Sequence, residues 1–359
     1  MEPYYLGRMN VKPIHNTNFS ITRSSLTRRV WLRQVSAGVL LASGAGLLKS
    51  CAAPAGRPLT IGVAFDTLQT EYWVASIKTM EAELKKHGYK MLQAVADNDA
   101  NRQLEQVNNF IAQGVDGIII APKDGQSVLS MIRRCNRANI PVVLYNRPPA
   151  QSDTQSVTVV ADNYQITKNT IQYMVEQARK SGKKYKGMIL IGDLGDDNSI
   201  KRRDGYFDVI RAHPDVVEDT AQVPTEWDNE KALARMTNAM QAHPDIDFIF
   251  TSSDLHLPAI VQVLKSLDKY HKIGETGHVM LAGFDGDNTA YQMMVDGYMD
   301  ADGVQDMYFE CEKTVQAIVD MREGKEVPPL IKDPGFVIHQ GNLQEKSSRM
   351  WGAQFKPQA

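Results

Sequence analysis

Short apolar runs alternate along this chain with segments in which apolar residues recur at helical spacing. Residues 59–65 form a continuous apolar run, which is typical of a strand buried on both faces. Residues 72–87 follow with apolar positions at helical spacing, and Gly88 ends that segment. A strand followed by a helix, repeated many times, predicts right-handed βαβ crossovers and a parallel sheet.

The alternation continues in two series, which predict two similar α/β halves. In the first series, strands are expected near 59–65, 89–96, 115–120 and 141–145, with helices near 72–87, 102–113 and 126–138. In the second series, strands are expected near 157–161, 186–191, 248–251 and 278–284, with helices near 165–181, 200–213, 230–243, 258–267 and 289–296. A final helix near 307–322 precedes a last strand near 336–339.

Aromatic and hydrogen-bonding residues follow the predicted strands at the points where the strands end. In an open α/β sheet, ligands bind in the crevice outside the carboxyl ends of the strands. These residues therefore predict one polar site with aromatic walls. They are Phe65, Asp66, Tyr72 and Trp73 after the first strand, Asn146 and Arg147 after another, and Ser253, Asp254 and Asp285 after later ones.

The first fifty residues differ from the rest of the chain, with seven basic residues against the single acid Glu2. Residues 27–33, TRRVWLR, resemble the twin-arginine export motif, and the apolar stretch that follows over 35–48 is too short to span a bilayer comfortably. Residues 48–51, LKSC, are similar to a lipoprotein signal, although Lys49 departs from the usual residue there. We interpret residues 1–50 as a removed export segment and Cys51 as an acylated membrane anchor. The alternative is an N-terminal amphipathic helix of a cytoplasmic protein.

Composition and charge narrow the class of protein further. The 359 residues are 43% hydrophobic and 23% charged, which is globular composition and enough length for two domains. The net charge is −2, and removing residues 1–50 leaves −8, which argues against nucleic-acid binding because that needs basic residues. Two buried free thiols at Cys135 and Cys311 are favoured over a disulfide, which export would permit.

The order of several motifs after Pro58 resembles the periplasmic sugar-binding proteins of ribose and galactose type, the solute receptors of ABC importers. The resemblance implies two doubly wound parallel-sheet lobes joined by three crossing segments and a cleft that closes by hinge bending. It implies a first lobe of residues 58–160 plus 305–327 and a second lobe of 161–304 plus 328–345. The motifs are TIGV at 60–63 with Tyr72-Trp73, NIPVV at 139–143, RRDG at 202–205 and AGFDG at 282–286.

The same resemblance implies which side chains hold a sugar. Sugar hydroxyls both donate and accept hydrogen bonds, so planar carboxylates, amides and guanidinium groups suit them, and the C–H faces of the ring lie against aromatic rings. The first lobe would supply Asp66, Tyr72, Trp73, Asn146 and Arg147, the second Arg202, Trp227, Ser253 and Asp285, and the hinge Gln305. Asp254 is expected either to contact the ligand or to cap a helix.

Each of these residues also has a purely structural interpretation. Tyr72 and Trp73 could be core residues of a first helical turn, Asp285 could be a helix N-cap, and Arg202 could lie on a solvated helix face. The chain also departs from the ribose pattern, with Asn146 in place of an Asp and Ser253 in place of an Asn. Such changes alter which hydroxyls are bound, so a pyranose or related polyol is expected rather than ribose.

Other functions lack their minimum motifs. The sequence has no phosphate-binding glycine loop, no G-x-S-x-G and no Cys/His cluster, so no cofactor and no metal are expected. A sugar-responsive transcription regulator would need a helix-turn-helix, which residues 1–50 do not supply. A sugar-acting enzyme and a receptor that only informs a sensor stay as alternatives. We expect a monomeric periplasmic receptor, not an enzyme, that delivers a carbohydrate to an ABC permease.

Overall fold

The computed structural model describes residues 57–354. The predicted export segment and the lipidation of Cys51 lie outside the described residues and stay predictions. No helix in the described part of the chain is both long enough and apolar enough to cross a membrane. Cys135 and Cys311 are buried and free, as expected.

Strands and helices alternate through nearly the whole described region. Through the first half, they are β1 (Thr60–Phe65), α1 (Glu71–Lys86), β2 (Lys90–Val95), α2 (Ala100–Ala112), β3 (Gly117–Ala121), α3 (Val128–Arg137), β4 (Val142–Tyr145), β5 (Val157–Ala161), α4 (Asn163–Lys180), β6 (Tyr185–Ile191) and α5 (Asp197–Ala212). The second half continues with β7 (Val217–Pro224), α6 (Asn229–Ala242), β8 (Phe248–Thr251), α7 (Leu257–Ser266), β9 (Met280–Asp285), α8 (Asn288–Val295), β10 (Ala301–Val304), α9 (Met307–Arg322), β11 (Leu330–Asp333), β12 (Phe336–His339), α10 (Leu343–Lys346) and α11 (Trp351–Gln354).

The strands form two six-stranded sheets, and each sheet with its helices is one lobe. The first sheet has the order β11-β5-β4-β3-β1-β2, and the second has the order β12-β10-β9-β8-β6-β7. The two orders are the same doubly wound arrangement with one added edge strand. The first sheet is parallel throughout, whereas β12 pairs with β10 antiparallel. The predicted fold of two doubly wound lobes is confirmed.

Three strands were missing from the sequence-based prediction, and each lacks a clear hydrophobic pattern. Strand β7 is a largely exposed edge strand of mixed polar sequence, and β10 is interrupted by Asp302 and Gly303. Strand β11 is a short, largely exposed edge strand that pairs with β5 in the first sheet. The expectation that residues 328–345 belong wholly to the second lobe is therefore wrong, because 330–333 extend the first sheet.

The chain crosses between the two sheets three times. The crossings lie at Asp162 between β5 and α4, at residues 305–306 between β10 and α9, and at residues 334–335 between β11 and β12. Because each crossing follows a strand, all three lie at the carboxyl edges of the sheets. Those are the edges at which the predicted site residues lie.

Asp333 accepts hydrogen bonds from residues in all three crossings. Its carbonyl oxygen accepts a hydrogen bond from the Asp162 N–H at 2.8 Å. Its carboxylate accepts from the N–H groups of Asp306 at 2.6 Å and Gly335 at 2.8 Å. Burial raises the pKa of Asp333 to about 6.

Candidate functional site

A cavity of about 590 Å³ lies between the carboxyl ends of the two sheets. Its volume falls in the range of small-molecule binding sites. Both lobes contribute to its lining, which brings together nine of the eleven predicted site residues. These are Tyr72, Trp73, Asn146, Arg147, Arg202, Trp227, Ser253, Asp285 and Gln305.

Tyr72 and Trp73 form the aromatic wall of the first lobe. They occupy the first turn of α1, directly after the loop that follows β1, and each is only 6% exposed. Their rings meet edge to face at 5.1 Å, and Trp73 also meets Phe65 edge to face at 5.7 Å. The pair therefore belongs to the hydrophobic core and lines the cavity at the same time.

Arg147 projects between the lobes and is held by acids from both. Its Nη1 donates to Asp66 Oδ2 at 2.5 Å, and its Nε donates to Asp196 Oδ2 of the second lobe at 3.2 Å. Its guanidinium lies 5.0 Å from the centre of the Trp73 ring. Burial alone would lower the pKa of Arg147, but the two carboxylates outweigh burial and raise it, so the group stays charged. Among the described residues no acceptor is bonded to its Nη2.

Asp66 does not line the cavity, although the sequence predicted it as a ligand residue. It is 1% exposed and lies behind Arg147. Burial raises the pKa of Asp66, and the nearby Arg147 opposes that shift. In this structure its carboxylate fixes the Arg147 side chain.

In the second lobe, Arg202 and Asp285 form the central polar pair. Arg202 Nη1 donates to Asp285 Oδ1 at 3.0 Å and to the Ser252 carbonyl at 2.7 Å. Gln305 Nε2 donates to the same Asp285 oxygen at 2.9 Å, and the Ser253 hydroxyl donates to the other. The alternative that Arg202 lies on a solvated helix face is excluded, since it is 4% exposed.

Asp285 also has an unusual backbone conformation. Its φ is 137°, a region that side-chain-bearing residues rarely adopt and that costs about 1–3 kcal/mol. It is not the N-cap of α8, because Asp287 fills that position and accepts from the Ala290 N–H at 2.8 Å. Burial raises the pKa of Asp285, and Arg202 opposes the shift.

Asp254 fixes the backbone around Asp285 and does not line the main cavity. Its carboxylate accepts hydrogen bonds from the N–H groups of Phe284 at 3.1 Å, Gly286 at 2.8 Å and Asp287 at 3.1 Å. It is 1% exposed, and burial together with the neighbouring Asp285 raises its pKa to about 7. Asp254 therefore does not cap a helix and lies outside the lining of the main cavity, and its hydrogen bonds hold the turn after β9.

Trp227 forms the aromatic wall of the second lobe. Its ring packs against Gly192, where an added Cβ would lie 2.2 Å from the ring. It stacks on His256 with ring centres 6.2 Å apart and planes 14° apart, and its Nε1 donates to Asp196 Oδ2 at 3.3 Å. Burial lowers the pKa of His256 to about 4, so this histidine is a neutral support. Trp227 itself has a φ of 57°.

Several cavity residues were missed by sequence reasoning. Asp196 and Asn198 follow β6 at the start of α5, and the rule that found the other strand ends would have found them. Asn198 Nδ2 donates to the Asn146 carbonyl at 3.0 Å and to Asn146 Oδ1 at 3.1 Å. The remaining lining residues are Thr67, Gln69, Thr70, Asn98, Lys123, Asp193, Glu226, Asp228, Asn229, Glu230 and Leu255.

Within residues 57–354, no group of three or more His, Cys, Asp or Glu side chains is arranged to hold a metal ion. The closely spaced Asp and Asn side chains of residues 97–101 do not form a metal site either. They cap α2, because the Asp99 carboxylate accepts hydrogen bonds from the N–H groups of Asn101 and Arg102.

The fold and the cavity together define a two-lobed receptor for a small molecule. Residues 61–326 match the family described as periplasmic binding protein domain, and the chain belongs to that family. The predicted resemblance is confirmed. The family consists of solute-binding proteins, so the chain is not an enzyme, and family membership implies an extracytoplasmic location.

Curated relatives match most of the chain. The ribose import binding protein of Bacillus subtilis is 27% identical over 278 residues, covering 77% of this chain and 86% of the relative. The D-allose-binding periplasmic protein of Escherichia coli is 24% identical over 285 residues, covering 77% of this chain and 88% of the relative. Both relatives are named for the sugar that they bind, ribose in one case and D-allose in the other.

Solved structures show the same fold. The Caulobacter myo-inositol binding protein, bound to myo-inositol, has a TM-score of 0.73 at 19% identity, covering 85% of this chain and 100% of that chain. A solute binding protein from Actinobacillus succinogenes with bound D-allose has a TM-score of 0.74 at 22% identity, covering 80% of this chain and 99% of that chain.

Proposed function

We propose that the protein captures a neutral monosaccharide, a pyranose rather than ribose, or a related polyol, in the cavity between its lobes. One observation carries the proposal. Aromatic rings from both lobes face the same cavity as a set of side chains that each make two or more hydrogen bonds. Trp73 and Trp227 supply the rings, and Arg202, Asp285 and Gln305 supply the polar groups. This combination suits a ring with hydroxyl groups at its edge and C–H groups on its faces.

The charge of the lining supports a neutral ligand. Carboxylates outnumber cationic side chains around the cavity, and both arginines are already paired with acids. An anionic sugar phosphate or sugar acid would face this excess of negative charge, whereas a neutral ring would not. The acids are Asp193, Asp196, Glu226, Asp228, Glu230 and Asp285, and the cations are Lys123, Arg147 and Arg202.

Hinge closure is the mechanism that we propose for capture. The three crossings and Asp333 would form the hinge between the two lobes, with β5 and β11 both assigned to the first lobe. Direct contacts such as Arg147–Asp196 join the lobes across the cavity. When the lobes separate, the side chains that make these contacts form hydrogen bonds with solvent instead. A ligand that contacts both lobes stabilises the closed arrangement and therefore favours closure.

We propose in addition that the protein is exported through its N-terminal segment, is held at the membrane by lipid on Cys51, and works as a monomer that delivers its ligand to an ABC permease. The observations behind this are the twin-arginine-like TRRVWLR, the LKSC sequence and the family. Labelling with radioactive palmitate in the native host tests the anchor, with Cys51→Ala as the control.

Intrinsic fluorescence tests the ligand proposal. Trp73 and Trp227 line the cavity, and Trp351 donates to the Asp285 carbonyl at 2.8 Å, so all three described tryptophans respond to changes there. We expect a saturable fluorescence change with a hexopyranose or a cyclic polyol, and a weaker or absent change with ribose. The panel to be titrated contains pentoses, hexoses, deoxysugars, polyols and sugar phosphates. Binding of the sugar phosphates alone would contradict the proposal.

A further inference from the structure

Glu310 is a carboxyl buried beneath the cavity wall, and it lies outside the sequence motifs described above. It lies in the first turn of α9 and is 0% exposed. Its Oε2 accepts hydrogen bonds from Tyr72 Oη at 2.9 Å and from Asn146 Nδ2 at 3.4 Å. Burial raises the pKa of Glu310 well above its ordinary value, and the nearby Asp333 adds to the shift, so the neutral carboxyl is favoured.

The side-chain amide of Asn146 has hydrogen-bond acceptors beside its nitrogen and a donor beside its oxygen. Besides Glu310, its Nδ2 faces Tyr72 Oη at 2.9 Å and Gln305 Oε1 at 3.2 Å. Its Oδ1 and its carbonyl oxygen accept from Asn198 of the second lobe. Asn146 is 3% exposed and has a φ of 66°, so its amide is fixed within the protein.

The orientation of this amide decides whether the lobes attract each other at this point. With Nδ2 towards Glu310 and Tyr72, the Oδ1 atom meets the Asn198 donor. A flipped amide would place two N–H₂ groups against each other and two or more acceptors against Oδ1, so both sides would lose hydrogen bonds.

We propose that Glu310 is a positioning residue that orients the Asn146 amide and thereby stabilises the closed arrangement of the lobes through the Asn146–Asn198 contact. This inference rests on the proposed function, since closure has a purpose only if the cavity binds a ligand. It assigns Asn146 to lobe closure, and it leaves hydroxyl binding to Arg202, Asp285 and Gln305.

The test compares Glu310→Leu, which removes the acceptor, with Glu310→Gln, which keeps a carbonyl acceptor of the same shape. Small-angle X-ray scattering of the ligand-free protein reports the fraction of open molecules. We expect Glu310→Leu to increase the radius of gyration and Glu310→Gln to match the wild type. Glu312→Gln, on the exposed face of the same helix, is the control and should also match.

Asn198→Ala separates positioning from general destabilisation. If Glu310 acts through the Asn146–Asn198 contact, Asn198→Ala opens the protein on its own, and adding Glu310→Leu opens it no further. Thermal unfolding still shows the extra loss of stability in the double variant, because the buried bonds of Tyr72 are lost as well. Additive opening by the two changes, or no opening by Glu310→Leu, would overturn the proposal.

Binding provides a second measurement. Fluorescence titration with myo-inositol and with D-allose should give about tenfold weaker apparent affinity for Glu310→Leu than for wild type and Glu310→Gln, because fewer molecules are closed. Equal affinity of Glu310→Leu and wild type for a sugar that binds would count against the inference. Failure of the wild type to bind any sugar would sink the proposed function instead, while the ligand-free scattering would still decide the role of Glu310.

Discussion

Asn146, Trp227 and Asp285 combine a place in the cavity lining with positive φ, at 66°, 57° and 137°. Each such conformation in a residue with a side chain costs free energy, and the surrounding contacts must offset it. Trp227 is fixed by Gly192 and His256, and Asp285 by the bonds of Asp254 to the following backbone. Two of the strained positions, Trp227 and Asp285, thus coincide with groups that the proposed ligand would contact, and the third, Asn146, with the contact between the lobes.

Trp227→Ala should weaken sugar binding about 10- to 100-fold, because it removes one of the two aromatic walls. Trp227→Phe keeps a ring and should lose much less. Isothermal titration calorimetry with the tightest-binding sugar of the panel measures both, and urea unfolding checks that stability is retained. An alanine variant with wild-type affinity would remove Trp227 from the site.

Asp285→Asn should weaken binding to a similar extent, since a charge-assisted hydrogen bond contributes about 1.5–3 kcal/mol. The variant keeps the shape of the side chain but leaves the buried Arg202 without its carboxylate, so a lower unfolding midpoint is expected too. Asp287→Asn changes a nearby carboxyl outside the main cavity lining and serves as the control for binding. Weaker binding in the control alone would place the ligand elsewhere.

Sequence reasoning identified the residue types of the site but not every role. Position after a strand end was enough to propose Arg147 and Asp285, whereas Trp227 was proposed from the family resemblance, because the strand before it was not predicted. It was not enough to distinguish a residue that lines the cavity from one that lies just behind it. Asp66 and Asp254 follow strands in the same way, yet they pair with Arg147 and with backbone N–H groups, and those contacts depend on tertiary packing.

At the scale of elements, the success of prediction followed the strength of the hydrophobic pattern. Helix α9 was predicted with its observed bounds, Met307–Arg322, and most buried strands lie within two residues of their expected positions. Strands β7 and β11 could not be found, because an edge strand has one unpaired side and little burial to mark it. Strand β10 is fully buried, yet it has only four residues and contains Asp302-Gly303.

Gly192→Ala tests whether the end of β6 positions Trp227. The added methyl would overlap the Trp227 ring, so the ring must move out of its packed position. We expect sugar affinity to fall about as far as in Trp227→Ala, with a loss of stability of about 1–3 kcal/mol from overpacking. Gly182→Ala, at a positive φ with open space around it, controls for a glycine replacement away from the site.

In the molecule as a whole, buried carboxyls are concentrated near the cavity and the hinge. Burial is the main cause that raises the pKa of each one, to about 7 for Asp254 and to about 6 for Asp333. A buried acid on β10, Asp302, lies beside Asp254, and burial together with that neighbouring carboxyl raises the pKa of Asp302 well above its ordinary value. The folded protein therefore holds protons that the unfolded chain releases. Besides Asp66, which is paired with Arg147, the carboxyls with raised pKa in this group are Asp254, Asp285, Asp287, Asp302, Glu310 and Asp333.

The sign of the pH dependence follows from these protons. A carboxyl with a raised folded-state pKa contributes stability that is complete below its unfolded pKa, about 4, and is lost as the pH rises through the folded value. We therefore expect the urea midpoint to fall between about pH 4 and pH 7. His256, whose pKa burial lowers to about 4, works in the opposite direction and offsets part of the fall.

Asp333→Asn isolates one contribution to this slope. The asparagine cannot ionise, so the decline in stability between about pH 4 and pH 6 should become shallower, even though the hinge loses hydrogen-bond strength at every pH. Asp245→Asn, an exposed change in the second lobe, should leave the slope as in wild type. A wild-type midpoint that rises steadily from pH 4 to pH 7 would mean that these carboxyls are ionised in the folded state. In that case the cavity and the hinge would be packed differently from the arrangement described. Each of the six ionised carboxylates would need a cationic partner at its buried position, and among these six only Asp285 has one in close contact.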